Sequence, residues 1–283
     1  MIDKILKILP LKRFRNPDPV VSVIRLHGVI GRVGPVSSGG LTFSGLERVI
    51  EKAFSAKRLK AVALSINSPG GSPVQSSLIA GAIRDLAMEK DIPVYGFVED
   101  VAASGGYWLA CAADEIFADE NSIIGSIGVI SSGFGFVEAI KKIGVERRVH
   151  TSGKNKAILD PFTAEIPKEV EKLTTLQKEI HQSFKNLVKE RRGDRLKADE
   201  ADLFEGDIWT GRRAEELGLI DGLGDLKSVM KKRLGEKTIF KSVGRRPNPI
   251  KRLLGGNESS LSEQIGTGIA ALEEWSLWKR FGL

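Results

Sequence analysis

Ser104 stands between Ala102-Ala103 and Gly105-Gly106, where an apolar run (residues 92–98) and the acidic pair Glu99-Asp100 give way to an Ala/Leu/Cys-rich stretch with helical spacing. The pattern reads as strand, tight turn and buried helix. A serine at that turn has its hydroxyl near the unbonded N–H groups and positive dipole end of a helix start. This suits a nucleophile whose attack creates an oxyanion. It also suits a plain N-cap, the commoner duty of such a serine, and this stretch alone leaves both readings open. A nucleophilic serine needs a base. The three histidines, His27, His150 and His181, are scattered and none lies in a motif beside a carboxylate, so a Ser-His-Asp triad has little support. They also lack metal-ligand spacing, and no metal is expected.

The elements that must position Ser104 follow in chain order. Residues 20–24 are almost all β-branched, as in a strand. Residues 31–40 read as loop, 46–55 as a short amphipathic helix and 61–67 as a buried strand. Ser68-Pro69-Gly70-Gly71-Ser72-Pro73 turns into a helix over 74–88. Two successive strand-turn-helix units, each with a Gly-Gly pair at its turn, predict a parallel sheet with right-handed crossovers and a site at the carboxyl ends of the strands. Beyond Ser104, residues 115–118 and 146–150 read as strands, 136–143 as a helix and 121–129 as an irregular Gly/Ser-punctuated stretch. A long amphipathic helix is predicted over 168–191 and shorter ones over 197–204 and 212–217, with a last helix opening after Gly222-Leu223-Gly224.

Length and composition bound the whole. A chain of 283 residues, 41% apolar, can bury a full core, read here as one α/β domain with tails. The lone Cys111 excludes an internal disulfide and is expected in the core. The net charge of +7 is concentrated at the two ends. No zinc-finger spacing or aromatic-interleaved basic run points to nucleic acid.

Five motifs together resemble the SppA/SohB family of serine peptidases: Ser-Ile-Asn-Ser-Pro-Gly-Gly (65–71), Ala-Ala-Ser-Gly-Gly-Tyr-Trp (102–108), Ile-Gly-Ser-Ile-Gly-Val (124–129), Ser-Gly-Lys-Asn-Lys (152–156) and the run from Trp209 to Asp221. The resemblance spans residues 20–232. It implies a crotonase-like α/β spiral fold of the ClpP/crotonase superfamily, no metal or organic cofactor, a homo-oligomer, and a Ser/Lys dyad acting on peptides, its two residues supplied either by one subunit or by adjacent ones. Residue by residue, Ser104 matches the nucleophile, Lys156 the general base and Ser126 a serine that hydrogen-bonds the lysine. A lysine acts as base only when neutral; near pH 7 that means a pKa lowered by about 3, roughly 4 kcal/mol of environmental effect. Lys156 precedes Ala157-Ile158-Leu159, which suits burial, and Lys154 is the alternative base. The oxyanion hole is expected from the N–H groups of Gly71 and Gly105, where the missing Cβ lets a carbonyl approach.

The expected organisation is a basic amphipathic segment and linker over 1–19, the peptidase domain over 20–242, and a flexible linker with an amphipathic tail over 243–283. No run approaches the roughly 20 apolar residues of a spanning helix, and the N-terminus lacks the features of a secretion signal. A cytoplasmic peptidase of unfolded or membrane-derived peptides is therefore expected. Its basic ends, with Trp275, Trp278 and Phe281 in the tail, suit peripheral contact with an anionic membrane surface. An acyl-CoA hydratase or isomerase and a non-catalytic scaffold are the competing readings of the same fold.

Overall fold

The β-branched run after Pro19 does become the first strand, and the strand-turn-helix pattern it starts repeats down the chain. The computed structural model describes residues 18–31, 40–153, 155–244 and 275–283. Its elements are β1 (Val20–His27), α1 (Phe43–Phe54), β2 (Leu59–Ser68), α2 (Pro73–Lys90), β3 (Val94–Ala103), α3 (Gly105–Ala110), β4 (Glu115–Ala118) and β5 (Ile123–Gly125). After these come α4 (Val137–Lys142), α5 (Pro167–Arg192), a 3-10 turn (Gly193–Arg195), α6 (Glu200–Leu203), β6 (Ile208–Thr210), α7 (Gly211–Glu216), β7 (Gly222–Leu223), α8 (Leu226–Leu234) and β8 (Ile239–Val243). Expectations for the N-terminal segment, loop 32–39, Lys154 and tail residues 245–274 fall outside the described residues.

The strands form one sheet in the order β6-β5-β3-β2-β1-β8, with β4 beside β3 and β7 beside β4. All pairings are parallel except β5 with β6. This is the predicted α/β architecture. Strand β3 branches the sheet: residues 95–98 pair with β4 and residues 101–103 with β5. Both faces are covered, as a parallel sheet requires. On one side lie α1, α2 and α3, burying Ile50, Phe54, Ile79, Ile83 and Leu109. On the other, Val21, Val23, Ala61, Ala63, Phe97 and Phe117 pack around Met230 of α8.

Three expectations need correction. Strand β3 does not stop at the acidic pair but runs on to Ala103. Residues 146–150 are not a strand; they form no ladder among the described residues, and Arg147 and Arg148 pair with Asp160 and Glu146 instead. The helix read over 197–204 shrinks to α6, and β8 was not anticipated at all.

The described chain divides into two compact units, residues Gly128–Asn186 and the remainder. The smaller unit is tied internally by stacking of Phe136 on Phe162, with ring centroids 5.5 Å apart, and by Arg147 over the Phe162 ring. Its helix α4 buries no residue. Among the described residues, no helix is long and apolar enough to cross a membrane.

Candidate active site

The site residues of the larger unit converge where β2 and β3 end. The parallel pair Ala103 and Gly125 is the last rung between β3 and β5, and the next residue on each strand is a serine. Both serines have left-handed backbone, φ +51° at Ser104 and at Ser126. That region is costly for any residue with a Cβ. The Ser104 N–H donates to the Gly125 carbonyl (2.8 Å) and the Ser126 N–H to the Asp207 carbonyl (2.6 Å), which fixes both turns. The ring of Trp209 covers Gly125 closely enough that a Cβ there would lie 2.6 Å from it. The Trp209 motif thus backs the Gly125-Ser126 motif.

Ser104 does not cap α3 with its side chain, so the capping reading fails. Its hydroxyl has no hydrogen-bond partner among the described residues and is partly exposed, whereas residues 101–103 and 105–110 are buried. Its carbonyl instead opens the helix by accepting from Tyr107 and Trp108. A serine on a strained strand-to-helix turn, with a free and accessible hydroxyl, is how a nucleophile is presented.

Two backbone donors face the same corner. The turn after β2 is clamped to residue 30: the Ile30 N–H donates to the Gly70 carbonyl and the Ser72 N–H to the Ile30 carbonyl. This leaves the N–H of Gly71 without a partner among the described residues, and Gly71 is exposed. The Gly105 N–H, at the start of α3, is likewise unengaged. The two turns touch: a Cβ on Gly70 would lie 2.8 Å from the Ser104 Cβ and 3.0 Å from the Gly105 nitrogen, and a Cβ on Gly105 would lie 3.4 Å from the Gly71 nitrogen. Only glycine permits this approach. Two unbonded N–H groups beside a serine hydroxyl can stabilise the oxyanion of a tetrahedral intermediate.

Lys156 belongs to the smaller unit, in a turn where its N–H donates to the Gly153 carbonyl. Its side chain is exposed, so the burial expected from Ala157-Ile158-Leu159 is not met within one chain. Sequence reasoning also missed Ile30, whose main chain brackets Gly71. Nothing in its apolar side chain signals that role.

Behind the site, polar groups brace the helix that carries Ser104. The Tyr107 hydroxyl donates to the Leu219 carbonyl (2.7 Å) and its pKa is raised by burial. Cys111 is buried as expected; burial raises its thiol to about 12, against the opposing pull of Arg192, which makes it inert. Arg191 donates to the carbonyls of Cys111 and Ala113, and buried Arg192 to the Gly218 carbonyl and both oxygens of Asp221. Among the described residues, no group of three or more His, Cys, Asp or Glu could hold a metal ion.

With this geometry in hand, comparisons with known proteins are specific. The sequence model of Peptidase family S49 matches residues 87–239. A Brucella abortus protein named Na(+)/H(+) antiporter NhaA is 48% identical over 99% of the chain, which covers 39% of that protein. Serine protease SPPA, chloroplastic, of Arabidopsis thaliana is 32% identical over 85% of the chain, which covers 37% of it. The chain thus spans about two fifths of these relatives' lengths. A solved membrane-bound stomatin-specific protease superposes with a TM-score of 0.51 at 17% identity, covering 82% of this chain and 100% of that one, which shows a shared fold.

Proposed function

The chain belongs to peptidase family S49, and from that premise we propose that it is a serine peptidase with Ser104 as nucleophile and Lys156 as general base. The observation that carries the proposal is the unpartnered Ser104 hydroxyl, held in left-handed backbone beside the unengaged N–H groups of Gly71 and Gly105. Ser104 Oγ attacks the peptide carbonyl carbon while the neutral amine of Lys156 takes its proton. The carbonyl oxygen becomes an oxyanion held by the two glycine N–H groups. Collapse expels the amine half of the peptide with the proton from Lys156, leaving an acyl ester on Ser104. A water, deprotonated by the same amine, then releases the acid and restores the serine. Ser126, one residue past the rung that precedes Ser104, orients the lysine. No metal or organic cofactor enters these steps.

The substrates are unfolded or membrane-derived peptides, in keeping with the protease names of its relatives. The working unit is a homo-oligomer. The smaller unit leaves Ile130, Phe134, Ile143 and Leu176 at least 56% exposed, and Lys156 needs cover that a single chain does not give it. A fluorophosphonate probe tests the reading. Labelling of the wild type, lost in Ser104→Ala and strongly slowed in Lys156→Ala, supports it. Labelling that survives Ser104→Ala, or acyl-CoA turnover without labelling, rejects it.

A further inference from the structure

The corner that holds Gly71 is built against a short segment, residues 28–31, that follows β1. Its two ends are glycines with positive φ, +103° at Gly28 and +106° at Gly31, and a glycine has no side chain to hold a conformation in place. Between them stand Val29 and Ile30. Main-chain hydrogen bonds tie this pair to its neighbours: the Leu41 N–H donates to the Val29 carbonyl (2.9 Å), the Ile30 N–H to the Gly70 carbonyl (2.8 Å) and the Ser72 N–H to the Ile30 carbonyl (2.8 Å). The approach is close, since a Cβ on Gly71 would lie 2.1 Å from the Ile30 carbonyl oxygen. A shift of Ile30 must therefore carry Gly71 with it.

Side chains decide whether the segment stays where it is. Ile30 is buried, and a Cβ on Gly105 would lie 3.2 Å from its Cδ1, so it packs beside the second oxyanion donor. Val29 is only 6% exposed but lies apart from the core around Met230; among the described residues, the partly buried apolar side chain packed against it is Leu277. Leu277 belongs to a helical stretch over 275–279 in the same compact unit. There Leu277, Trp278 and Phe281 are half-buried, whereas Trp275, Lys279 and Arg280 are exposed. The stretch is thus seated on one side, and a residue from near the C-terminus covers the segment that shapes the oxyanion corner.

On the peptidase reading above, we propose that Leu277 is a positioning residue: by covering Val29 it holds the Ile30 main chain against Gly71 and keeps the Gly71 N–H where the oxyanion forms. Leu277 touches no reacting atom. Its loss should weaken an interaction made in the transition state and leave substrate binding nearly unchanged.

The experiment compares the full chain with its Leu277→Ala, Leu277→Met, Trp275→Ser, Val29→Ala and Val29→Ala/Leu277→Ala variants, by peptidase kinetics and by hydrogen exchange with mass spectrometry. Leu277→Ala should lower kcat about tenfold, less than the hundredfold or more that losing an oxyanion donor costs, with KM little changed. Exchange of the Ile30 and Ser72 amides should be about tenfold faster in that variant. Leu277→Met refills the space and should recover most of the rate, and Trp275→Ser, on the exposed side, should match wild type. The double variant should lose little more than Val29→Ala does, because both substitutions break one contact. Leu277 is half-buried, so its variants should fold, which circular dichroism checks. The proposal is overturned if Leu277→Ala keeps wild-type kcat and exchange, if Trp275→Ser loses as much rate, or if the double variant loses the product of the two single effects. Exchange needs no turnover. A wild type inactive on peptides whose Ile30 and Ser72 amides are still freed by Leu277→Ala would reject the peptidase reading and keep the Leu277 contact as the hold on this corner; unchanged exchange in an active peptidase would reject the role of Leu277 alone.

Discussion

Ser104 holds a conformation that costs on the order of 1–3 kcal/mol, and the surrounding contacts keep it there. The Gly125 carbonyl fixes its N–H, the first turn of α3 fixes its carbonyl, and Gly70 closes the space beside its Cβ. Gly70 is therefore as sensitive a position as the serine itself. In Gly70→Ala the new Cβ would lie 2.8 Å from the Ser104 Cβ and 2.9 Å from the Ala103 carbonyl oxygen, at a φ of +105° that alanine rarely adopts. The two turns must separate, and a displacement of about 1 Å at a reacting group can cost about a hundredfold in rate. We expect Gly70→Ala to lose about that much kcat/KM while its far-ultraviolet circular dichroism stays native. Undiminished kcat/KM in a folded variant would mean that this corner does not hold the reacting geometry.

Strand β3 delivers the serine by an irregularity. Ile66 pairs with Val98, but Ser68 pairs with Ala102, so β3 carries two more residues than β2 over that stretch. The extra length lets β3 leave β4 and reach β5, and side chains hold it in place of the ladder. The Ser122 hydroxyl donates to the Glu99 carbonyl (2.5 Å), and Asn67 Nδ2 donates to Asp100. Ser122→Ala leaves the part-buried Glu99 carbonyl without that donor and should cost about 1 kcal/mol in denaturant unfolding. It should also lower kcat more than it raises KM, because the loosened bulge leads to Ser104; equal stability to wild type would remove Ser122 from this role. Such a device was not legible in the sequence. The Gly-Gly turns, the buried strands and the place of Ser104 at a strand-to-helix turn were legible because their signals are local runs and turn residues. The bulge depends on a serine from another strand, and β8 on an edge position beside β1 that its mixed sequence does not announce. The apolar neighbours of Lys156 suggested burial, but Lys156 and Ala157 are exposed in the chain.

For the whole molecule, α5 is fastened to the core at its C-terminal end by the Arg192–Asp221 pair, whose arginine is 2% exposed. Burial works to raise the Asp221 carboxyl, but the Arg192 hydrogen bonds and the Ile116 N–H override it and hold the pKa below the usual value. A carboxyl depressed in the folded state adds stability that is present above the unfolded pKa, about 3.9, and is lost as pH falls through the lower folded value. The stability gap between wild type and Asp221→Asn should thus be constant near neutrality and shrink below about pH 4. Arg192→Met, which leaves the Asp221 carboxylate to Arg195 and the Ile116 N–H, should cost about 2 kcal/mol at pH 7; a gap independent of pH would show that the pair carries no such linkage. Assembly is the larger question, because exposed Phe134 (78%), Ile143 (73%) and Ile130 (64%) in the smaller unit give that unit a surface suited to another copy. If copies assemble through it and one chain's Lys156 serves another's Ser104, then Ser104→Ala and Lys156→Ala proteins, each inactive alone, should recover activity when dissociated and reassembled together. In a ring with random mixing, a measurable fraction of sites would pair an intact serine with an intact lysine. Native mass spectrometry must show hybrid oligomers alongside the peptidase assay. Hybrids that form yet stay inactive would place both residues of each dyad in one chain, and Phe134→Ser or Ile143→Ser protein that remains fully assembled would move the interface elsewhere.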